Sequence, residues 1–359
     1  MIGGPRYRES CNDGLLDQLM ALEWIKRNIA AFGGDPHSVT VFGNSAGASD
    51  ISALLGVQTP ERYFQRAIIQ SGFASATKSR AIAEQFSRSM FSQAHVRSMK
   101  DLLGKSPKEL LAMQAAALEP LSELDSDLSF QPTVDGTLIP DFPLALIRRG
   151  NARHVDVLLG YTVNELRLYL LYTPGWANAK LTDIPVLRDL AEDKRRALWD
   201  EYRQARPGMS DGQVALDIGS DYLFRVSAIR MAEAQLPYNK NVFMYQFAWQ
   251  ASKPELGAPH AVELPFVFGN VGSGQSLFLG NMDDPQTRST VENLVSEVQE
   301  FWTSFAKSGR PAAQGVPEWH RYDADSRRTM IFDRTVQLMS DPASKERTLF
   351  DGLALGGRR

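Results

Sequence analysis

Cysteine is almost absent from this chain of 359 residues, with Cys11 the single example. One thiol closes no internal disulfide, which excludes a disulfide-stapled scaffold and fits a reducing compartment such as the cytoplasm. Long apolar runs are missing too, and no stretch approaches the roughly 20 apolar residues of a membrane-spanning helix. Residues 1–8 carry no apolar core behind their charges, so no secretory leader is expected in them. An excess of either charge is also lacking: the formal net charge is -3. That gives no electrostatic case for nucleic acid or an anionic membrane and favours a small neutral ligand. With 43% hydrophobic and 23% charged residues, and with no repeat, low-complexity tract or linker, residues 1–359 read as a single α/β domain. Nothing in the composition indicates an oligomeric state.

Against this plain background the stretch from Val39 to Ala48 stands out. A β-branched and aromatic run, Val39 to Phe42, enters Gly43-Asn44-Ser45-Ala46-Gly47 and then a small-residue helix start. Gly-x-Ser-x-Gly between a strand and a helix is the nucleophile elbow, which holds a serine hydroxyl out where a base can reach it. Gly43 and Gly47 are both expected to be places where a Cβ would collide with the neighbouring turn. The Ala46 N–H, opening the helix, is expected to face a developing oxyanion. The five residues alone are weak evidence, arising by chance in roughly one chain in ten of this length. Their position between strand and helix strengthens them.

The surroundings suit such an elbow. Leu15, Leu19, Leu22, Ile25, Ile29 and Phe32 recur at helical spacing and stop at Gly33-Gly34-Asp35-Pro36. A strand follows at residues 39–42 and another at Ala67-Ile68-Ile69, so strand, helix, strand implies parallel pairing. Residues from about 75 to 128 read as a helical insertion, and 130–143 as extended and turn-rich. Further strands are expected at 155–160, 241–247 and 329–332. A second helical insertion is expected at about 166–234, and an amphipathic helix at 291–306.

A serine nucleophile needs a histidine base and a carboxylate that fixes the histidine tautomer, and where the serine sits on an elbow of this kind the three follow in the order serine, acid, histidine. Of the five histidines, His37, His95, His154 and His320 fall before strands, in a helical insertion or in a connection. His260 follows a late strand on a Gly/Pro loop. Glu165 stands just past the 157–160 strand, at the carboxyl edge where Ser45 and His260 are also expected. Its rivals are Asp156, at the wrong end of that strand, and Asp135, in an Asp-Gly turn.

Taken together, Asn12-Asp13-Gly14-Leu15-Leu16-Asp17-Gln18, Phe32-Gly33-Gly34-Asp35-Pro36, the elbow, Gln70-Ser71-Gly72, Asn164-Glu165 and the run His260 to Gly269 resemble the type-B carboxylesterases, the cholinesterase-like branch of the α/β-hydrolases. The resemblance covers almost the whole chain. It implies a mostly parallel sheet flanked by helices and hydrolysis of uncharged carboxylic esters of small or medium size without metal or cofactor. It also implies Ser45 as nucleophile, Glu165 as triad acid and His260 as base; Asn44 and Ser71, next to these groups, are expected as supporting residues. Asn44 replaces the family's usual glutamate, which should weaken any preference for cationic substrates. Leu166 and Ala261 stand where glycines are common. The family also carries, upstream of the elbow, several strands and a His-Gly-Gly loop, and Gly3-Gly4 lie too close to the first helix to be that loop. The chain is therefore expected to lack those strands and to match the C-terminal two-thirds of such an esterase, with the 39–42 strand paired on one side only, poor solubility and little activity. Two other readings fit the same residues: a non-catalytic cholinesterase-like binding module, and hydrolysis of an amide, carbamate or lactone.

Overall fold

A computed structural model describes residues 10–73, 75–93, 98–121, 130–188 and 190–353, together with Tyr7 and Val96. Gly3, Gly4 and His95 lie outside the described residues. Among the described residues six strands form one sheet in sequence order: β1 (Thr40–Asn44), β2 (Arg66–Gln70), β3 (Asp156–Thr162), β4 (Val242–Phe247), β5 (Arg328–Phe332) and β6 (Gln337–Ser340). The first five are parallel and β6 is antiparallel to β5. The sequence pointed to the first five as short apolar runs. It gave no sign of β6, whose residues are mostly exposed.

Side chains alternate across a strand, so each inner strand feeds two cores. Ala67, Ile69, Val157, Leu159, Val242 and Met244 face one core. Ile68, Leu158, Phe243 and Tyr245 face the other. The first core is closed by the helices Asp13–Asn28, Ala46–Leu54 and Val226–Gln235. On the Asp13–Asn28 helix, Leu15, Leu19 and Leu22 are buried, contributing roughly 1.5–3 kcal/mol each relative to exposure. The other core is closed by the long helix Pro285–Ser308, which buries Val291, Leu294, Val298, Phe301, Trp302 and Phe305. That helix starts six residues before the apolar periodicity, because Asp284 caps it by accepting the Thr287 N–H at 2.8 Å.

Among the described residues β1 pairs with β2 alone. No strand covers its other edge among the described residues, and on β1 the Phe42 ring (50% exposed) meets that of Phe268 (62% exposed) with centroids 5.9 Å apart. An open parallel edge next to apolar rings is a template for association. The chain is expected to self-associate at micromolar concentration, and Phe42→Lys to reduce this. Light scattering on the size-exclusion peak checks it, and a monodisperse monomer would contradict it.

Candidate active site

Strand β1 runs into the helix Ala46–Leu54 through one residue, Ser45, at φ 58 and ψ -119. A non-glycine residue there carries about 1–3 kcal/mol of backbone strain, a cost typical of functional turns. The Ser45 N–H donates to the Gln70 carbonyl at 2.9 Å and its carbonyl accepts from Ser49 at 2.9 Å, so the turn is fixed on both sides. Gly43 is sterically required: a Cβ would lie 2.7 Å from the Gly47 carbonyl carbon and 2.9 Å from its oxygen. The matching expectation for Gly47 is not met, since a Cβ there meets nothing within 4 Å among the described residues. The close approach to Gly43 is made by main-chain atoms that any residue carries, so nothing among the described residues requires glycine at position 47. Ala46 occupies the first helical position, where an N–H has no acceptor one turn back.

The neighbouring strand ends carry the remaining groups. Ser71 follows β2 at φ 53 and donates from Oγ to Glu165 Oε1 at 2.6 Å. Glu165 lies just past β3, fully buried, and Oε1 also accepts the Thr162 N–H at 2.7 Å. Its other oxygen, Oε2, sits 2.5 Å from Nδ1 of His260, which lies on the loop after β4. A carboxylate accepts only, so Nδ1 is the donor and Nε2 is left as the basic nitrogen. Phe224 packs its ring 5.4 Å from the imidazole. Burial alone would lower the pKa of His260. The charge of Glu165, the hydrogen bond to it and nearby Glu263 outweigh this and hold it above the ordinary 6.5.

Ser45, Ser71, Glu165 and His260 therefore lie beyond the carboxyl ends of β1, β2, β3 and β4, and the Glu165 to His260 half of the expected constellation is closed. No hydrogen bond joins Ser45 Oγ to His260 among the described residues. Such nucleophile–base bonds commonly form only around substrate. The other described histidines, His37, His154 and His320, are exposed. Asp135 is occupied as a turn residue, accepting the Thr137 and Ile139 N–H groups. Asp156 bonds Asn239 at the opposite end of β3.

Glu263, within the run His260 to Gly269, is also part of this site. It is fully buried, with Oε1 accepting from Asn44 Nδ2 at 2.9 Å and Gln70 Nε2 at 3.2 Å. Burial, and then the charge of Glu165, push its pKa up. This gives Asn44 a physical reason: a carboxylate at that position would face a second buried carboxyl, whereas the amide donates to it. Ala261 adopts φ 66 beside His260, a conformation that suits glycine, so the alanine adds strain to the loop. Leu166 is buried in the first core. Phe266, on the run that follows His260, is fully buried against Phe247 and Trp249. Tyr169 and Trp176 remain near the surface, rings 5.4 Å apart.

The sheet, the strained serine turn and the ordered acid and histidine define the α/β-hydrolase fold. Comparison with known proteins sharpens this. The profile of the "Carboxylesterase family" matches residues 8–350. The para-nitrobenzyl esterase of Bacillus subtilis (strain 168) is 33% identical over 350 residues, covering 94% of this chain and 67% of the relative. The acetylcholinesterase of Bungarus fasciatus is 29% identical, covering 94% and 58%. Among solved structures, the Geobacillus stearothermophilus carboxylesterase EST55 at pH 6.2 aligns with a TM-score of 0.79 at 32% identity, covering 94% of this chain and 69% of that one. A PNB esterase aligns at 0.75, with 32% identity and coverage of 94% and 68%. The chain belongs to the carboxylesterase family, a family of carboxylic ester hydrolases, and it spans 67% and 58% of the length of the two relatives just named.

Proposed function

We propose that this chain hydrolyses uncharged carboxylic esters of small or medium size through an acyl-enzyme on Ser45. The observation that carries the reading is the buried Glu165 to His260 bond at 2.5 Å, on the sheet edge where the strained turn presents Ser45. In the first half-reaction Ser45 Oγ attacks the ester carbonyl as His260 Nε2 takes its proton. Negative charge grows on the carbonyl oxygen, which the Ala46 N–H faces. Glu165 accepts the Nδ1–H bond, holds the tautomer and stabilises the imidazolium. Collapse expels the alkoxide, which leaves as alcohol with the proton from His260. Water then repeats the sequence on the acyl group, releasing acid and restoring Ser45. Asn44 puts a neutral amide next to the nucleophile and ties up a carboxyl oxygen of Glu263, which supports neutral over cationic substrates. A panel of p-nitrophenyl esters against the matching anilides tests the bond type, and preferential turnover of anilides would overturn the ester assignment.

The pH dependence follows from His260. The base works only when neutral, and its pKa is held above 6.5 chiefly by the charge of Glu165, against the lowering effect of burial. The acid limb of kcat/KM is therefore expected at a pH above 6.5. Glu165→Gln removes the raising charge but leaves the burial, so the limb should move to lower pH while the plateau falls about 10⁴-fold. A pH–rate profile of both proteins checks the direction, and an unmoved limb would mean that Glu165 does not set the histidine.

A further inference from the structure

Two loops must keep their separation for the Glu165 to His260 bond to exist, and one side chain spans them. Asn164, immediately before Glu165, donates its N–H to the Ala258 carbonyl at 2.9 Å and accepts the Ala258 N–H on Oδ1 at 3.0 Å. Its Nδ2 donates to Asp217 Oδ1 at 2.8 Å. Asp217 in turn takes a two-pronged bond from Arg167, Nε to Oδ1 at 2.8 Å and Nη2 to Oδ2 at 2.7 Å, with Arg206 Nε at 3.1 Å from Oδ2. We propose that Asn164 is a positioning residue, clipping the turn that carries Glu165 to the loop that carries His260, with the Arg167–Asp217 pair fixing its side chain in the only orientation that serves both loops.

Several observations converge on this. Asn164 is 7% exposed and Asp217 and Arg167 are each 2% exposed, so water does not compete for these bonds. The amide has one workable orientation. Turned over, it would place Oδ1 against the Asp217 carboxylate and an N–H₂ against the Ala258 N–H, losing both contacts. The close approach also depends on Gly257, at φ 61, where a Cβ would lie 2.2 Å from Asn164 Oδ1. A buried ion pair is a poor source of stability compared with apolar packing, because desolvation offsets the attraction. What the two-pronged Arg167–Asp217 pair supplies here is a fixed acceptor for Asn164 Nδ2 at the base of the Glu165 turn.

The catalytic meaning of the clip rests on the hydrolytic reading above, so the test uses two independent readouts on the whole chain. The first is the downfield imidazole N–H resonance of His260, which reports the Nδ1 to Glu165 bond without turnover. The second is the kcat and KM of p-nitrophenyl acetate hydrolysis. Asn164→Ala is expected to broaden or shift the resonance and to lower kcat about 10–100-fold, with KM within roughly threefold. Asn164→Asp is nearly isosteric, yet it sets a second carboxylate against Asp217. It is expected to be impaired as much as the alanine variant, whereas a space-filling role predicts that it behaves like the parent. Circular dichroism fixes the folded fraction for both. The proposal is overturned if either variant keeps the parent resonance per folded molecule, or if Asn164→Asp retains parent kcat. A parent chain that shows the resonance but hydrolyses no ester refutes the hydrolytic reading, and the resonance then judges the clip alone.

Discussion

Ser45→Ala is expected to lower ester hydrolysis on the order of 10⁵–10⁶-fold and to abolish labelling by a fluorophosphonate probe, with little change in folding. The size follows from the chemistry. Without the hydroxyl no acyl-enzyme forms, and what remains is binding and the Ala46 N–H acting on a water attack. The small structural effect follows from the turn. Ser45 is held through its main chain, to Gln70 and from Ser49, and its side chain contributes no bond among the described residues. Serine and alanine bear the same strain at φ 58. Active-site labelling with mass-spectrometric mapping of the adduct, beside a thermal melt, checks both halves. An adduct on another residue, or undiminished turnover in the variant, would remove Ser45 from the mechanism.

The sequence made the elbow legible because its geometry is written locally: a strand, a glycine two residues before the serine, and a small-residue helix start. Glu165 and His260 were legible for a different reason, since each follows an apolar run and the fold brings successive strand ends to one edge. Other parts of the site depend on contacts between distant segments, which leave no periodic trace. Glu263 meets Asn44 across 219 positions, and Asn164 meets Asp217 across 53. Gly47 shows the reverse error, where a motif position was given a steric role that the packing does not require. Strand β6 escaped notice because an exposed edge strand shows little hydrophobic alternation. The five-residue π-helical turn Asp221–Arg225 contains no proline or glycine, and the Gly219-Ser220 pair just before it is too common inside helices to mark it.

That turn carries the second large effect. Asp221→Ala is expected to destabilise the fold by about 3–5 kcal/mol and to lower activity as well. Arg225 is 2% exposed and donates Nη2 to Asp221 Oδ2 at 2.7 Å, and Tyr202 Oη donates to the same oxygen. Burial pushes the Asp221 pKa up, while the charge of Arg225 and the tyrosine bond oppose this. Removing the carboxylate leaves a buried guanidinium whose remaining acceptors among the described residues are the Tyr202 hydroxyl at 3.4 Å and the Pro342 and Ala343 carbonyls at 3.3 Å, and its Nε has no partner among those residues even in the parent. The loss reaches the site because Phe224 sits inside the same turn, its ring 5.4 Å from His260 and 4.5 Å from Phe73. With the turn loosened, the imidazole loses the wall that holds it toward Glu165, so kcat should fall more than KM rises. Asp221→Asn separates charge from shape. It keeps the volume and an acceptor but not the anion, and should recover part of the stability and most of the packing around Phe224. Urea unfolding of the three proteins, with kcat and KM measured well below the transition, decides the matter. If Asp221→Ala unfolds at the parent midpoint, the buried pair is not what holds the turn, and the support for His260 must come from the Glu165 side alone.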